Sequence, residues 1–280
     1  MRNIYTLYLV LFAICLSCSP NEELVPESRN GYNMVLIGNS FFRPYAERIG
    51  ELAIDAGYED HKSEVVFRGG DNGRAQNLWN DNGEATRSIK EALDKGGVDF
   101  LGMTAGVLEE NPTDGYRDWI NYALQNNPDI NIFISIPPID FPMEWNETAQ
   151  ELGFLNAEEL FRFFKEDLIH KTLVDQLRME FPDTRIFTIP TGEAAFNLVE
   201  MNRENLLLDD IEYFGSRENS LFVDEKGHQG EIVVQTGTLL WLESIYQIDL
   251  NQTSFETDFE TDLQTIASEI MEGHDPNYKQ

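Results

Sequence analysis

Past residue 18 the chain has no cysteine; its only two, Cys15 and Cys18, stand in an apolar leader. A disulfide framework or a cysteine-built metal centre is therefore excluded from the body of the protein, which must rest on an apolar core. Histidine is scarce as well, at four in 280 residues, and no pair has the HExxH spacing of a zinc-binding helix. Carboxylates are plentiful but scattered rather than set out as a calcium-binding loop. No GK[ST] follows the one glycine-rich segment, so a Walker-type phosphate loop is missing. Nothing in the sequence calls for a metal or a cofactor. Positive charge is short too: 20 Lys and Arg face 50 Asp and Glu, for a formal net charge of −30. Such a surface repels phosphate backbones and anionic lipid, which removes nucleic acid and charge-driven membrane docking from the expected partners.

The leader reads as an export signal. Arg2 supplies positive charge, Ile4 to Leu16 is mostly apolar, and Ser17-Cys18 precedes polar residues. The run is too short to span a bilayer comfortably. A small residue directly before the cysteine resembles a bacterial lipoprotein signal, which implies a diacylglyceryl thioether on Cys18. The expected division is a signal and lipobox over 1–18, a polar tether over 19–31, one domain over 32–250 and an acidic tail over 251–280. The expected location is the bacterial cell envelope, outside the cytoplasm, with the protein held at the outer membrane by its lipid alone.

Short apolar runs then alternate with amphipathic stretches. Strands are expected at Asn33–Ile37, Ser63–Phe67, Asp99–Met103, Asn131–Ile136 and Arg185–Ile189, several of them apolar almost throughout, as strands covered on both faces are. Helices are expected at Phe42–Ala56, Glu84–Lys95, Tyr116–Gln125, Ala157–Glu180, Glu193–Asn202 and Gln229–Tyr246, with the clearest stripe in Leu160, Phe163, Phe164, Leu168, Leu173 and Leu177. The tail places Phe255, Phe259, Leu263 and Ile266 at helical spacing, which suits a short docked helix. This alternation describes an α/β domain with a parallel sheet of about five strands. Ligands of such sheets sit at the carboxyl ends of the strands, so the loops Gly38–Phe41, Arg68–Trp79, Thr104–Gly115 and Pro137–Thr148 should share one rim.

Ser40 closes the first strand in Gly38-Asn39-Ser40-Phe41 and opens a helix. A serine there can present its hydroxyl and donate its backbone N–H to an oxyanion beside a helix N-terminus. The ordinary role for such a serine is to cap its own helix. Only one histidine has an acid close before it and glycines on both sides, namely His228 in Asp224-Glu225-Lys226-Gly227-His228-Gln229-Gly230. It is the natural base for Ser40. Asp224 is the expected orienting acid, with Glu225 as its competitor. Oxyanion donors are sought in the backbone of Gly69 or Gly70, in the Asn72 side chain and in the Thr104 hydroxyl. Trp145, in a long loop without helical period, is a candidate substrate wall. Arg43, Arg68 and Arg74 either pair with nearby acids or receive an anionic group.

Gly38-Asn39-Ser40, Gly69-Gly70, and Asp224 with His228 together resemble the blocks of the SGNH, or GDSL-like, hydrolases, over about Asn33 to Tyr246. Asn39 stands in place of the usual aspartate. The resemblance implies a flavodoxin-like three-layer α/β/α sandwich and hydrolysis of acyl esters, including acetyl groups on carbohydrates. In that chemistry Ser40 attacks, His228 moves the proton, and a small-molecule or glycan ester is the partner. Two departures stand out. Thr104 occupies the expected place of the family's oxyanion asparagine, and three residues rather than two separate Asp224 from His228. Loss of one oxyanion donor costs about 10²–10³ in turnover, so a non-catalytic glycan-binding lipoprotein, using Trp145 or Trp79 as a sugar platform, is the alternative.

Overall fold

A computed structural model describes residues 30–106 and 111–280. The signal, the lipobox at Cys18 and nearly all of the tether lie outside the described residues.

Five parallel strands form the central sheet: β1 (Asn33–Gly38), β2 (Lys62–Phe67), β3 (Phe100–Thr104), β4 (Asn131–Ser135) and β5 (Ile186–Ile189), in the order β2-β1-β3-β4-β5. Each lies within one residue of its expected bounds. β3 and β5 are buried at every position, and β1 at every position after Asn33. Side chains of successive residues leave a strand on opposite faces, and this sheet has a core on each. Met34, Leu36, Phe100, Phe133 and Phe187 enter one core; Val35, Ile37, Leu101, Met103, Ile132 and Ile134 enter the other. The first is covered by α1 (Arg43–Asp55), α8 (Thr191–Arg203), α9 (Glu231–Tyr246) and α10 (Leu263–Gly273). The second is covered by α2 (Ala75–Asn80), α3 (Glu84–Asp94) and α4 (Tyr116–Ala123). The result is the three-layer α/β/α sandwich.

α9 packs against α1, α8 and α10 and is buried nearly all round, which is why its sequence is apolar without a polar stripe. The acidic tail returns through α10, whose Leu263, Ile266, Ala267, Ile270 and Met271 join the core beneath α8 and α9.

The long helix expected over Ala157–Glu180 forms in three stretches: α6 (Ala157–Phe163), a π-helical segment (Phe164–Val174) and α7 (Asp175–Glu180). Among the described residues four further elements, α-helix or strand, arise where neither was expected, the first being α2, which begins inside the Arg68–Trp79 segment. α5 (Trp145–Glu151) begins inside the Pro137–Thr148 segment, and β6 (Glu212–Phe214) pairs with β7 (Ser220–Phe222) just ahead of His228. Among the described residues no helix is long and apolar enough to cross a membrane.

Candidate active site

Strand order reverses between β1 and β3, so the connections leaving their carboxyl ends run to opposite sides and open a crevice between them. The turn after β1 carries Ser40. Its capping work is done by Asn39, whose Oδ1 accepts the N–H of Phe41 at 3.0 Å and of Phe42 at 3.3 Å, and whose carbonyl accepts Arg43 N–H at 3.0 Å. The ordinary capping role of Ser40 is thus filled by its neighbour, and its hydroxyl is released for another partner. Gly73 packs against this turn so closely that a Cβ there would lie 2.4 Å from the carbonyl oxygens of Gly38 and Arg68. A side chain at that position would displace the serine turn.

His228 arrives from the other direction on a hairpin-like loop between β7 and α9. Val223 N–H donates to the His228 carbonyl at 2.8 Å, and Gly230 N–H to that of Leu221 at 2.8 Å. Between them the chain reverses through Gly227 at φ 98°, a conformation for which glycine is suited. Both loop ends are anchored in core, because β7 and the start of α9 are buried. The turn also accounts for the spacing of the acid and the base. Asp224 Oδ1 accepts the N–H groups of Gly227 and His228, each at 3.1 Å, which leaves Oδ2 2.6 Å from His228 Nδ1. Three intervening residues are what this reversal needs.

His228 Nε2 lies 2.9 Å from Ser40 Oγ. With Nδ1–H directed at Asp224, the neutral ring leaves Nε2 to accept the serine hydroxyl proton. Burial raises the Asp224 carboxyl, but hydrogen bonds from the His228 ring and from the His228 and Gly227 backbone outweigh it and hold the acid below the usual carboxylate range. Asp224 is therefore held as the carboxylate, able to stabilise imidazolium as it forms. Glu225 is exposed, and the carboxylate that meets the ring is that of Asp224.

Of the expected oxyanion donors, Gly70 lines the cleft beside Asn39, and Gly69 is exposed just before it. Among the described residues no backbone acceptor takes the N–H of Ser40 or of Gly70. Asn72 is exposed and lies outside the cleft lining. Two expectations are corrected. Thr104 is 1% exposed, with its hydroxyl turned to the Ala105 carbonyl at 3.3 Å, so it cannot reach a ligand on the rim. Its β3 register places it in the sheet interior, and Tyr116 Oη donates to its carbonyl at 2.8 Å. Trp145 is 2% exposed, stacked on Phe196 at 4.0 Å, and donates its indole N–H to the Ile139 carbonyl. It is core, buried by the α5 helix that the loop reading missed. Trp79 packs edge-on to Trp119 at 4.8 Å with the Lys90 ammonium 4.3 Å from its ring.

The three arginines pair with acids: Arg43 with Glu47 at 2.6 Å, Arg68 with Asp81 at 2.7 Å and Arg74 with Asp71 at 2.7 Å. The other histidines are buried in the fold. His61 meets Tyr246, while His170 and His274 share the Thr188 hydroxyl at 3.1 and 2.9 Å.

Sequence reasoning missed three neighbours of the site. Phe41 stacks on His228 with ring centroids 4.8 Å apart and planes 17° from parallel. Asp140 and Lys226 face one another at 3.7 Å beside that stack, where burial raises the Asp140 carboxyl despite the ammonium. The loop carrying Asp140 is tied to the histidine loop by Phe141 N–H, which donates to the Lys226 carbonyl at 2.9 Å. Only Phe41, adjacent to Ser40, gave a usable sequence signal.

No family model and no curated protein sequence matches the chain. Solved structures do. A DUF4886 family protein from Bacteroides uniformis aligns at TM-score 0.52 and 12% identity, over 86% of this chain and 95% of that one. A protein from Slackia heliotrinireducens, provisionally described as an SGNH hydrolase, aligns at TM-score 0.46 and 15% identity, over 77% of this chain and 100% of that one. The periplasmic domain of a lipopolysaccharide acetyltransferase from Salmonella ser. Paratyphi A aligns at TM-score 0.34 and 15% identity, over 60% and 69%. At this identity the likeness to the Bacteroides uniformis protein is one of fold.

Proposed function

We propose that this protein is a serine esterase that hydrolyses acyl esters, with a carbohydrate as the alcohol half, outside the cytoplasm and tethered by a lipid on Cys18. One observation carries the catalytic reading: the chain Ser40 Oγ, His228, Asp224 has links of 2.9 and 2.6 Å. A nucleophile, a base and an orienting acid in hydrogen-bond sequence are what acyl transfer through serine requires. The carbohydrate and the envelope location are supported by the motif resemblance and the leader sequence.

Ser40 Oγ attacks the ester carbonyl carbon while its proton passes to His228 Nε2. The carbonyl oxygen takes the electron pair and is held by the Ser40 N–H and the Gly70 N–H. Collapse of the tetrahedral species breaks the bond to the alcohol oxygen, which leaves with the proton from His228. Water then adds to the acyl-serine with His228 again as base, releasing the acid and restoring Ser40.

The test is labelling by a fluorophosphonate together with turnover of nitrophenyl esters. Both should vanish in Ser40→Ala while the thermal unfolding profile is retained. Absence of labelling in the folded wild-type protein across a range of pH would overturn the esterase reading. Cys18→Ser should shift the protein from the membrane to the soluble fraction of its host; retention in the membrane would count against the lipid tether.

A further inference from the structure

We propose that the cleft beside Ser40 is an acyl pocket that selects a medium-length apolar acyl group over acetyl. The inference rests on the esterase reading and names its substrate class. Residues on both sides of the nucleophile, Asn39 and Phe41, form one wall of a cleft of about 630 Å³. The turn after α5, α6 and the π-helical segment add a hydrocarbon lining: Leu152, Phe154, Leu160, Phe163, Phe164 and Leu168. Of the polar lining groups, Lys226 lies 5.7 Å from the Phe41 ring and pairs with Asp140, while Asp71 and Arg74 pair with each other just after Gly70. A carbonyl placed at Ser40 thus has both charged groups and an apolar lining in the adjoining cleft.

Size decides between acyl groups. Pockets of about 300–1,000 Å³ receive drug-sized ligands, and this one is on the order of twenty times a water molecule's share of liquid volume, which is about 30 Å³. An acetyl group would leave most of it as water against hydrocarbon. Leu152 is 63% exposed and Phe163 37% exposed at its margin, an apolar surface for which the closed fold offers no cover. The backbone contributes as well. Phe164 and Leu168 lie in the first half of the π-helical segment and line the same cleft. π-helical turns are rare and concentrate at functional sites. The stripe Leu160, Phe163, Phe164, Leu168, Leu173 and Leu177 therefore divides. Leu173 and Leu177 pack in the core, whereas the earlier residues line the cleft.

The experiment compares nitrophenyl acetate, butyrate, hexanoate and octanoate on the full chain, on Leu168→Trp, which fills the recess, and on Phe163→Asp, which charges its margin. Each methylene that enters the pocket should raise kcat/KM by about fourfold, the equivalent of about 0.8 kcal/mol. Hexanoate should then exceed acetate by on the order of 10². Both variants should lower the hexanoate-to-acetate ratio by at least tenfold, and Phe163→Asp, at an exposed position, preserves the fold if Leu168→Trp does not. Turnover with acetate preferred, or a ratio unmoved by either variant, overturns the acyl pocket and leaves the esterase standing. No turnover of any ester and no fluorophosphonate labelling overturns both.

Discussion

Phe41 lies face-on against His228, centroids 4.8 Å apart, so the residue after Ser40 holds the imidazole ring that meets Ser40 Oγ. Phe41 is itself buried, at 4% exposed, while the two nitrogens of His228 are held by Asp224 and Ser40. A stack of this kind contributes about 0.5–1.5 kcal/mol beyond burial. Phe41→Ala should lower kcat about threefold to tenfold, because the ring of His228 is freed, and should also raise KM for acyl groups that reach the cleft Phe41 lines. Phe41→Tyr, which keeps the stack, should restore most of the rate. An equal loss in both variants would mean that the phenylalanine serves packing alone.

Asp224 and Glu225 can be separated by substitution. Asp224→Asn removes the anion and offers Nδ1 an amide in its place, and should reduce turnover by about 10²–10⁴, as loss of the orienting acid does in triads. Glu225→Gln should remain within about twofold. The Asp224 carboxyl lies below the usual range, so it contributes above the ordinary carboxylate pKa of about 3.9, and its contribution is lost only as pH falls through its own lower value. Activity lost on the acid side above about pH 4 is then not due to Asp224. A pH–rate profile whose acid limb moves in Glu225→Gln would reassign the orienting role.

Thr104 offers the sharpest contrast with the expectation from sequence. Its hydroxyl is buried and makes one long hydrogen bond, to Ala105 at 3.3 Å. Thr104→Val should leave turnover within about twofold and change stability by no more than about 1 kcal/mol, the net worth of an ordinary hydrogen bond. A roughly hundredfold loss of turnover at unchanged stability, the size expected for a missing oxyanion donor, would restore the hydroxyl to that role.

Much of this architecture is legible in the chain because its signals are local. β1, β3 and β5 are short apolar runs of the length and composition that suit a doubly covered strand, and the helices between them carry a period of three to four. Ser40 and His228 could be nominated because each sits at an element boundary beside glycines. What the sequence hid depends on tertiary neighbours. Thr104 and Trp145 sit in segments that look like rim, but strand register turns one inward and the unforeseen helix α5 buries the other. The stripe from Leu160 to Leu177 has a single period, yet the π-helical stretch changes the pitch midway, so its first half faces a cleft and its second half the core. The 224–228 spacing looked anomalous until the Gly227 reversal accounted for it.

The two histidines on either side of Thr188 predict how stability depends on pH. His170 and His274 are each 1% exposed. Burial, followed by the positive charges nearby, lowers His170 to about 3; burial, followed by the Lys165 ammonium, lowers His274 to about 4. In the unfolded chain both titrate near 6.5. Between those values the unfolded state binds protons that the folded state refuses. Their contribution is therefore complete above about pH 6.5 and falls as pH drops toward 4, by roughly 1.4 kcal/mol per pH unit for each histidine. Glu243, which burial raises to about 7, offsets one of those protons between that value and the ordinary carboxylate range, so the net decline is that of about one histidine. Since His274 brings the tail onto β5 through its Thr188 bond at 2.9 Å, acid should loosen the region around α10 first. Denaturant unfolding at pH 7, 6 and 5 should give a declining free energy. In His274→Phe the protein should be less stable at pH 7, having lost the Thr188 bond, but its slope with pH should be shallower by about one proton. A variant with the parental slope would mean that His274 is not held neutral in the folded protein.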